Sequence, residues 1–430
     1  MGADNWSVRP LASDFVKVCE SPDPERVFCY SPGLTVLPGG RLVATTDWGG
    51  PGVEALPGPK AQRDGSDRRW QGQVYTSDDG GRTWVHRARF PFLHARPFLA
   101  DGTLYVLGQA SDLYIIRSDD GGQTWSHPVA LTDGQEWHQA PSNVHYAHGA
   151  VYLVMERRIN RQCSGWNICE NAPVLMRART KDDLTLRESW DFASEMAFCE
   201  AVPDSELDWF GVPFYPVYYP HGESVAPGRW CAPIGWLESN VVRFTDSDHT
   251  WHDPTGKTLH LWMRAHTGLT NMACILKVTE TGETPGTGAM ETDFVRAPSG
   301  RKVLYVPCPG GQMKFHVLYD DRTRLYWLLS TQATDSLTRP EKLPPDRFNL
   351  PNNERRRLVL HFSRNMWDWC FAGLVDMGEA EVASRHYASM VLDGEDLVVL
   401  SRSGDERAIN AHDVNMITFH RVRDFRNLVY

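Results

Sequence analysis

Ionisable side chains stand inside apolar, strand-like segments at two neighbouring points of the chain. Glu238 follows Leu237 near the start of a segment that continues Ser-Asn-Val-Val, and Arg264 ends the run Leu-His-Leu-Trp-Met-Arg. A buried charge without a partner is costly, so each group is expected to meet either a ligand or the other. A carboxylate and a guanidinium in one pocket can move protons and hold an anion.

Three further residues have side chains suited to nucleophilic attack or proton transfer. They are Tyr387, His138 and Asp47, and each also has an ordinary structural interpretation. A Tyr on a strand is usually a packed aromatic residue, a His can be a satisfied core residue, and an Asp before a Trp at a strand end is common in turns. These residues can act together only if the fold brings them together from distant parts of the sequence. The secondary-structure elements that position them therefore determine whether each residue is functional or structural.

One eight-residue pattern occurs twice, as Ser77-Asp-Asp-Gly-Gly-Arg-Thr-Trp84 and Ser118-Asp-Asp-Gly-Gly-Gln-Thr-Trp125, with starts 41 residues apart. That interval is about the length of one four-stranded blade, so the repeat predicts a β-propeller. In each copy we expect the second Asp to bond the turn backbone, the glycines to adopt positive φ and the Trp to pack between neighbouring sheets. The pattern is scaffold and carries no chemistry itself.

The strand pattern predicts a six-bladed, all-β propeller that forms a single domain over residues 1–430. The blades are expected to pair segments 30–48 with 74–85, 96–109 with 113–125, 137–158 with 173–190, 235–266 with 272–279, 311–330 with 356–369, and 385–402 with 415–422. A segment around 6–11 is expected to add the outer strand of the last blade and close the ring. The stretches 199–233 and 335–353 do not fit blades, and the first is a candidate lid.

The hairpin patterns and the blade spacing resemble the sialidase superfamily of Asp-box, or BNR-repeat, propellers. This resemblance implies that Glu238 opens the inner strand of the fourth blade, that Arg264 closes its next strand and that Tyr387 is the nucleophile of the sixth blade. The segment Arg355-Arg-Arg-Leu-Val-Leu-His-Phe-Ser is similar to the one that gives the family its last carboxylate-binding arginine, which we assign to Arg356. The implied activity is that of a glycoside hydrolase.

The chemistry of these residue types fits a terminal acidic sugar as substrate. A sugar whose anomeric carbon carries a carboxylate repels a carboxylate nucleophile, so a phenol deprotonated by a neighbouring Glu is the better attacker, here Tyr387 with Glu238. Arginines hold the substrate carboxylate by paired hydrogen bonds, which suits Arg264 and Arg356. Asp47 is the nearest candidate for protonating the leaving oxygen. The reaction would retain the anomeric configuration.

The first blade departs from the family pattern. The family carries an Arg just before Ile-Pro, whereas this chain reads Cys29-Tyr30-Ser31-Pro32-Gly33, with Tyr30 where the Arg would stand. Loss of a charged bidentate contact costs on the order of 2–4 kcal/mol, so ordinary sialic acid is not the expected substrate. Arg96, which opens the second blade, is a candidate replacement, and Lys314 and His412 are further candidates for reaching the pocket.

The third blade supports a second hypothesis. It opens with Trp137-His138, and its next strand ends with Met155-Glu-Arg-Arg158. This is similar to the ulvan lyases, in which a His and a Tyr move protons and an Arg neutralises a uronate carboxylate. The similarity implies β-elimination from a uronate-containing polysaccharide through His138 and Arg264, with Arg158 as another substrate-binding residue. A third hypothesis is a propeller that binds glycans without cleaving them.

Composition argues against several partners. The net charge of −10 disfavours nucleic acid, because phosphate binding needs a broad basic surface, so an acidic carbohydrate would need a local basic pocket. No apolar run approaches the roughly 20 residues of a membrane span. The first residues lack a signal-peptide pattern, which fits a cytoplasmic protein or an exported one whose signal has been removed. The sequence indicates no protein partner.

The cysteines do not indicate a metal or a compartment. There are nine, an odd number, scattered without a CxxC pair or a His at zinc-finger spacing. We expect buried free thiols, and Cys163 and Cys169, which lie in one polar loop, could bridge each other or reach Cys199. We predict no metal and no cofactor.

Overall fold

The computed structural model of the protein describes residues 8–62, 69–159, 162–163, 166–203, 221–266, 270–344, 347 and 353–430. Six antiparallel sheets of four or five strands follow one another along the chain. They form a six-bladed β-propeller, and the prediction of that all-β fold is confirmed.

Each blade runs from an inner strand near the axis to an outer strand. The strand β1 (Val16–Glu20) belongs to the last blade. Blade one contains β2 (Phe28–Val36), β3 (Leu42–Gly49), β4 (Ala61–Gln62), β5 (Arg69–Ser77) and β6 (Val85–Phe90). Blade two contains β7 (Leu93–Ala100), β8 (Thr103–Ala110), β9 (Asp112–Ser118) and β10 (Val129–Ala130). Blade three contains β11 (Trp137–His138), β12 (His145–Ala147), β13 (Ala150–Arg158), β14 (Asn171–Arg179) and β15 (Trp190–Phe192).

The second half of the chain repeats this layout and adds two small hairpins. The hairpin β16 (Glu223–Ala226) and β17 (Arg229–Cys231) stands apart from the six blades. Blade four contains β18 (Gly235–Val242), β19 (Thr258–His266), β20 (Met272–Glu280) and β21 (Met290–Asp293). The hairpin β22 (Val295–Arg296) and β23 (Lys302–Val303) follows, and β24 (Tyr305–Pro307) pairs with β20. Blade five contains β25 (His316–Asp320), β26 (Leu325–Gln332), β27 (Arg357–Ser363) and β28 (Cys370–Met377), and blade six contains β29 (Arg385–Asp393), β30 (Asp396–Ser403), β31 (Met416–Val422) and β1.

Helical structure is sparse in the described part of the chain. It consists of the short helix α1 (Phe198–Ala201) and 3₁₀ turns at Val53–Ala55, Ile168–Glu170, Arg187–Ser189, Pro340–Lys342 and Phe425–Leu428. None of these described helices has the length and apolar character needed to span a membrane. Of the predicted insertions, residues 204–220 of the first and 345–346 and 348–352 of the second lie outside the described residues.

The hydrophobic core lies between neighbouring blades, whereas the axis is polar. The cluster between blades three and four, for example, contains Tyr152, Trp236 and Met263, each almost completely buried. Polar side chains at the axis bond the backbone of adjacent inner strands, as when Asn143 exchanges hydrogen bonds with Val241. Apolar packing therefore holds the blades side by side, and hydrogen bonds fix the inner strands around the axis.

The ring is closed by β1, which pairs with β31 in antiparallel register from Val16↔Phe419 to Glu20↔Met416. The closing strand was expected around residues 6–11. Residues 8–11 form no strand, and the Leu11 amide instead donates to the Leu374 carbonyl of blade five. Residues 6 and 7 lie outside the described residues. The prediction that an N-terminal strand closes the ring is therefore confirmed, and its predicted position at residues 6–11 is wrong.

The repeated Ser-Asp-Asp-Gly-Gly pattern forms the turn expected of it. In the first copy the Asp79 carboxylate accepts from the amide and hydroxyl of Thr83, at 2.9 and 2.6 Å, and from the Ser77 hydroxyl at 2.8 Å. These hydrogen bonds, led by that of the Thr83 hydroxyl, lower the pKa of Asp79 to about 2. Asp120 and Thr124 repeat the arrangement in the second copy. Each pattern locks the end of a blade in place.

Gly81 is required at the contact between blade one and blade six. Its φ is +90°, and a Cβ there would lie 2.2 Å from the Phe419 ring. Gly102 has a similar φ of +84° with no neighbouring atom within 4 Å of the Cβ position. An alanine would adopt an unfavourable φ at both positions, but it would collide with a neighbouring side chain only at Gly81.

We predict that Gly81→Ala destabilises the protein more than Gly102→Ala. Both variants force alanine into left-handed backbone, at roughly 1–2 kcal/mol. Only the first also displaces Phe419, which adds about 1–3 kcal/mol of overpacking. Free energies of unfolding from denaturant titration measure the difference. Equal losses in the two variants would show that the contact between blades one and six does not depend on Gly81.

Candidate active site

Four of the six inner strands contain the same two-for-one β-bulge near the start. Two residues of the inner strand oppose one residue of its partner, and the first of the two has a left-handed backbone. These first residues are Ser31 (φ 29°), His94 (54°), Glu238 (60°) and Tyr387 (48°). Non-glycine residues seldom adopt this conformation, at a cost of about 1–3 kcal/mol each. Four of the eleven non-glycine residues with positive φ in the described part of the chain therefore lie where the inner strands converge.

A second set of equivalent positions lies on the neighbouring strands. In each of the four bulged blades, the inner-strand residue just before the bulge is paired with one residue of the next strand. These partners are Asp47, Gln109, Arg264 and Arg402. The site is therefore built from two side chains per blade, one at the bulge and one beside it, and this explains how residues far apart in sequence meet.

Arg264 joins Tyr387 and Glu238. Its Nη1 donates to the Tyr387 hydroxyl at 2.6 Å and to the Glu238 carboxylate at 3.3 Å, while its Nε donates to the Gln312 carbonyl at 2.7 Å. All three side chains are nearly fully buried. The structure thus brings together the three residues that the sequence assigned to attack, proton removal and anion binding.

The phenol of Tyr387 lies among positive charges. Burial raises the pKa of Tyr387 above its ordinary value, and the arginines Arg264, Arg355 and Arg402 oppose that rise. Their guanidinium carbons lie 5.9, 5.7 and 5.2 Å from the centre of the Tyr387 ring. A phenolate at this position would meet three cations in a medium that screens them poorly.

Arg355, rather than the predicted Arg356, lies beside Tyr387. Arg355 is 2% exposed and contacts Nδ1 of His386 at 2.8 Å, whereas Arg356 donates to the carbonyls of Gly378 and Glu379 near the surface. Neighbouring residues of an extended segment point in opposite directions, so only one of the two can face the axis. The assignment to Arg356 is corrected to Arg355 on this geometry.

Tyr30, which stands where an arginine was expected, is part of a hydrogen-bonded group with its partners in blade six. Its hydroxyl donates to the Asp413 carboxylate at 2.6 Å, and His412 Nδ1 contacts the same oxygen at 2.7 Å. The guanidinium carbon of Arg402 lies 4.3 Å from the Tyr30 ring centre, and Arg402 donates to the His412 carbonyl. The structure therefore places a third buried guanidinium next to Tyr30, and it comes from blade six.

His412 is a neutral base in this setting. Burial lowers its pKa to about 3, and the charge of Arg402 contributes, although the neighbouring Asp413 acts in the opposite direction. The pKa of Asp413 falls below its usual range despite burial, because His412 and Tyr30 donate to it. A carboxylate that binds Nδ1 orients the imidazole ring, as in other proton-transfer sites.

Asp47 lies between blades one and two and is completely buried. Desolvation raises its pKa well above the usual range, and the backbone amides of His94 and Ala95 offset only part of that rise. Neither carboxyl oxygen makes a hydrogen bond of ordinary geometry with the described residues. This desolvation favours the protonated form of the carboxyl group, which is the form required of a general acid.

Two other predicted residues contact protein groups. His138 packs edge to face on His94, with ring centres 5.1 Å apart. Arg158 forms ion pairs with Glu170 at 2.7 Å and Glu136 at 3.3 Å, so it is bound within its own blade. The use of His138 as base with Arg264 as the cation, which the lyase hypothesis implied, stays a prediction.

Arg96 and Lys314 lie at the axis but bind protein groups there. Arg96 donates to the Val154 carbonyl at 3.2 Å and to the Ser142 hydroxyl at 3.1 Å. Lys314 donates to the Ala388 carbonyl at 2.5 Å and to the Ser389 hydroxyl at 3.1 Å, directly after the nucleophile candidate. Arg96 is therefore not placed to replace the missing arginine, and Lys314 supports the inner strand that carries Tyr387.

The nine cysteines are all free thiols, as expected, and the described residues contain no group of ligands that could hold a metal ion. Sequence reasoning missed Arg355, Arg402 and His94. A signal for Arg402 was present, because it ends the apolar run Leu-Val-Val-Leu-Ser-Arg of blade six, as Arg264 ends the corresponding run of blade four.

Comparisons with known proteins agree with the fold. A scan against models of protein families finds no match, and neither does a search of curated protein sequences. Similar solved structures include the α-L-arabinanase of Penicillium chrysogenum complexed with arabinobiose (TM-score 0.50, 12% identity, 98% of this chain and 100% of that chain). They also include a Trypanosoma rangeli sialidase mutant with trans-sialidase activity (0.52, 14%, 98% and 60%) and a mutant NanB sialidase of Streptococcus pneumoniae (0.53, 10%, 100% and 73%).

These similarities establish the fold alone. The chain has the sialidase-like propeller fold that glycoside hydrolases share, at identities of 10–14%. It spans 60% of the length of the Trypanosoma rangeli sialidase. What the chain does has to be argued from its own site.

We predict that Lys314→Met changes how stability depends on pH. Burial lowers the pKa of Lys314 to about 7 from an ordinary value of 10.5. Between these values the unfolded chain keeps a proton that the folded chain has released. Stability of the wild type should therefore rise with pH there, by up to about 1.4 kcal/mol per unit, and the variant should lack this contribution.

Urea titrations of wild type and Lys314→Met at about pH 7.5 and about pH 9.5 test this. The difference between the two free energies of unfolding should shift in favour of the wild type at the higher pH. A difference that stays constant across that interval would mean that Lys314 does not lose its proton there.

Proposed function

We propose that the protein is a retaining glycoside hydrolase that removes a terminal acidic sugar from a glycan, with Tyr387 as nucleophile. The observation that carries the proposal is the single guanidinium nitrogen of Arg264 that binds both the Tyr387 hydroxyl and the Glu238 carboxylate. Phenol, base and cation are thereby held in one buried cluster. The sialidase-like fold is consistent with this chemistry and does not specify it.

In the first step Tyr387 attacks the anomeric carbon and its proton passes to Glu238. A base is needed because burial raises the pKa of Tyr387 above its ordinary value. The bond between the anomeric carbon and the leaving oxygen breaks, and Asp47 supplies the proton to that oxygen. Water then attacks the glycosyl-tyrosine, giving its proton to Asp47, and the phenol recovers its proton from Glu238. Two displacements at the same carbon retain its configuration.

The arginines favour a substrate with a carboxylate on the anomeric carbon. Arg264, Arg355 and Arg402 have their guanidinium carbons 5.2–5.9 Å from the centre of the Tyr387 ring and are 1–2% exposed. Burial lowers the pKa of Arg355 to about 9, and the neighbouring arginines contribute to that decrease. An anionic group bound between them would relieve this repulsion. The ulosonic acids, sugars with this carboxylate, are the substrate class that fits.

Tyr30 distinguishes this site from a sialic-acid site of the usual pattern. An aromatic ring occupies the place of the first-blade arginine, and the third guanidinium approaches from blade six. The substrate carboxylate would therefore be displaced toward blade six, and the part of the sugar near blade one would meet an aromatic face. We infer that the preferred sugar is an acidic one other than ordinary sialic acid.

We predict that Tyr387→Phe abolishes hydrolysis, with a loss of roughly 1,000-fold or more in kcat, because phenylalanine cannot form the covalent bond. The assay uses aryl glycosides of a panel of ulosonic acids. Mass spectrometry of the wild type after reaction with a 2,3-difluoro ulosonic acid would locate the sugar on Tyr387, because fluoride leaves from the anomeric carbon and the second fluorine slows breakdown of the intermediate. Full activity of Tyr387→Phe would exclude this residue as nucleophile.

Arg355 and Arg356 offer a matched pair of variants. Arg355→Met should lower kcat/KM by roughly 100-fold, because a charged contact with the substrate carboxylate is lost, whereas Arg356→Met should leave it nearly unchanged. Arg402→Met should behave like Arg355→Met. Equal kcat/KM values for Arg355→Met and Arg356→Met would contradict the proposal that Arg355 binds the substrate carboxylate.

A lyase is the second candidate, and the group around His412 favours it. A neutral imidazole, the Tyr30 hydroxyl and the Arg402 guanidinium lie together, which are the group types that β-elimination uses. His412 would take the proton from the carbon beside the uronate carboxylate. The bond from the next carbon to the leaving oxygen would break as a carbon–carbon double bond forms, and the Tyr30 hydroxyl would give its proton to that oxygen. This assignment replaces His138 with His412.

Absorbance in the near ultraviolet separates the two candidates, since only elimination forms an unsaturated uronate. With uronate-containing polysaccharides, the hydrolase proposal predicts no such absorbance. If the absorbance appears and His412→Ala removes it while Tyr387→Phe does not, the protein is a lyase. If neither hydrolysis nor elimination occurs while acidic glycans still bind, it is a glycan-binding propeller.

A further inference from the structure

A second cleft lies on the face of the propeller opposite the candidate active site. It has a volume of about 380 Å³ and lies between the loop that follows β18 and the loop that follows β27. Strand β27 begins two residues after Arg355 at the site and ends four residues before Trp367 at the cleft, so the strand separates the two by roughly 20 Å. The cleft is therefore remote from the reacting groups.

Two tryptophans form the cleft. Trp367 is 44% exposed, which is unusual for so large an apolar side chain, and Trp251 packs edge to face against it with ring centres 6.2 Å apart. The Trp251 ring is fixed from behind by Phe244 and His260, and its Nε1 donates to the Arg296 carbonyl at 3.3 Å. The aromatic wall is thus held in place before any ligand binds.

The rim of the cleft is polar and anionic. Asp248 and Asp368 border it, together with Thr250 and Asn365, and none of the described lining residues is a Lys or an Arg. The Asn365 side chain is held by Asp368, to which it donates at 2.9 Å, and its oxygen accepts from the Trp367 amide at 3.0 Å. Carboxylates beside an exposed indole ring bind hydroxyl groups well and repel an acidic sugar.

We propose that this cleft is a binding site for neutral glycan, in which a pyranose ring stacks on Trp367 and its hydroxyls bond Asp248 and Asp368. An aromatic face with a few convergent polar groups in a cavity of this size is typical of a small-ligand site. Because it faces away from the candidate active site, it holds the protein on a glycan without presenting that sugar to Tyr387. The inference does not depend on the proposed hydrolysis.

Tryptophan fluorescence titration of the full chain tests the site. The probes are neutral hexaoses of β-1,4-glucan, β-1,4-xylan, β-1,4-galactan and α-1,4-glucan, with oligogalacturonate as the acidic counterpart. We expect at least one neutral oligosaccharide to bind, and Trp367→Ala to weaken that binding by roughly 10-fold or more because the stacking surface is lost. Asp368→Asn should weaken it less, and oligogalacturonate should not bind here.

Phe371→Ala is the matched control, since Phe371 is also 44% exposed but lies outside the cleft. It should bind the neutral oligosaccharide as the wild type does, and Tyr387→Phe should as well. Trp367→Ala should keep the wild-type melting temperature and the wild-type turnover of any small substrate. The proposal is wrong if no neutral oligosaccharide binds, if Trp367→Ala binds it unchanged, or if only acidic sugars or a trimethylammonium compound bind the cleft.

Discussion

Several buried arginines lie close to one phenol, that of Tyr387, and the rest of the structure has to stabilise this concentration of positive charge. Arg264, Arg355 and Arg402 are buried with their guanidinium carbons within 6 Å of the centre of the Tyr387 ring, and Glu238 binds Arg264 directly. Burial lowers the pKa values of Arg355 and Arg402, and the neighbouring arginines contribute to the decrease at Arg355. Such a cluster is costly to bury. The anionic substrate of the proposed function would offset part of that cost.

The rest of the propeller holds these cations in place. Apolar packing between blades supplies the stability that offsets the charge repulsion and the backbone strain. Hydrogen bonds across the axis fix the inner strands, as in the contact of Lys314 with the Ala388 carbonyl next to Tyr387. Blade six receives its outer strand from β1, so the sheet that carries both Tyr387 and Arg402 is completed by a segment about 400 residues away in sequence. The site thus depends on closure of the ring.

The sequence allowed the fold and the centre of the site to be predicted, and physical reasons explain the remainder. The repeated turn pattern revealed the blade length, and the cost of burying Glu238 and Arg264 revealed that they need partners. The choice between Arg355 and Arg356 could not be made, because it depends on which of two alternating directions faces the axis. Arg402 ends an apolar run like that of Arg264. Because Tyr30 stands where an arginine was expected, the sequence indicated that this arginine was absent, and it did not indicate that Arg402 of blade six supplies a guanidinium there. Contacts such as Tyr30 with Asp413 join residues almost 400 positions apart, and no local pattern announces them.

The four bulges have a consequence for how such sites change. Each holds one side chain at the axis in a backbone shape that the flanking strand pairing fixes, whatever that side chain is. Ser31, His94, Glu238 and Tyr387 differ in size and in charge and share that shape. A substitution at a bulge therefore changes the side chain that reaches the axis and leaves the backbone conformation as it was. A propeller of this design can acquire a new reaction by single replacements at fixed places, without any rearrangement of its blades.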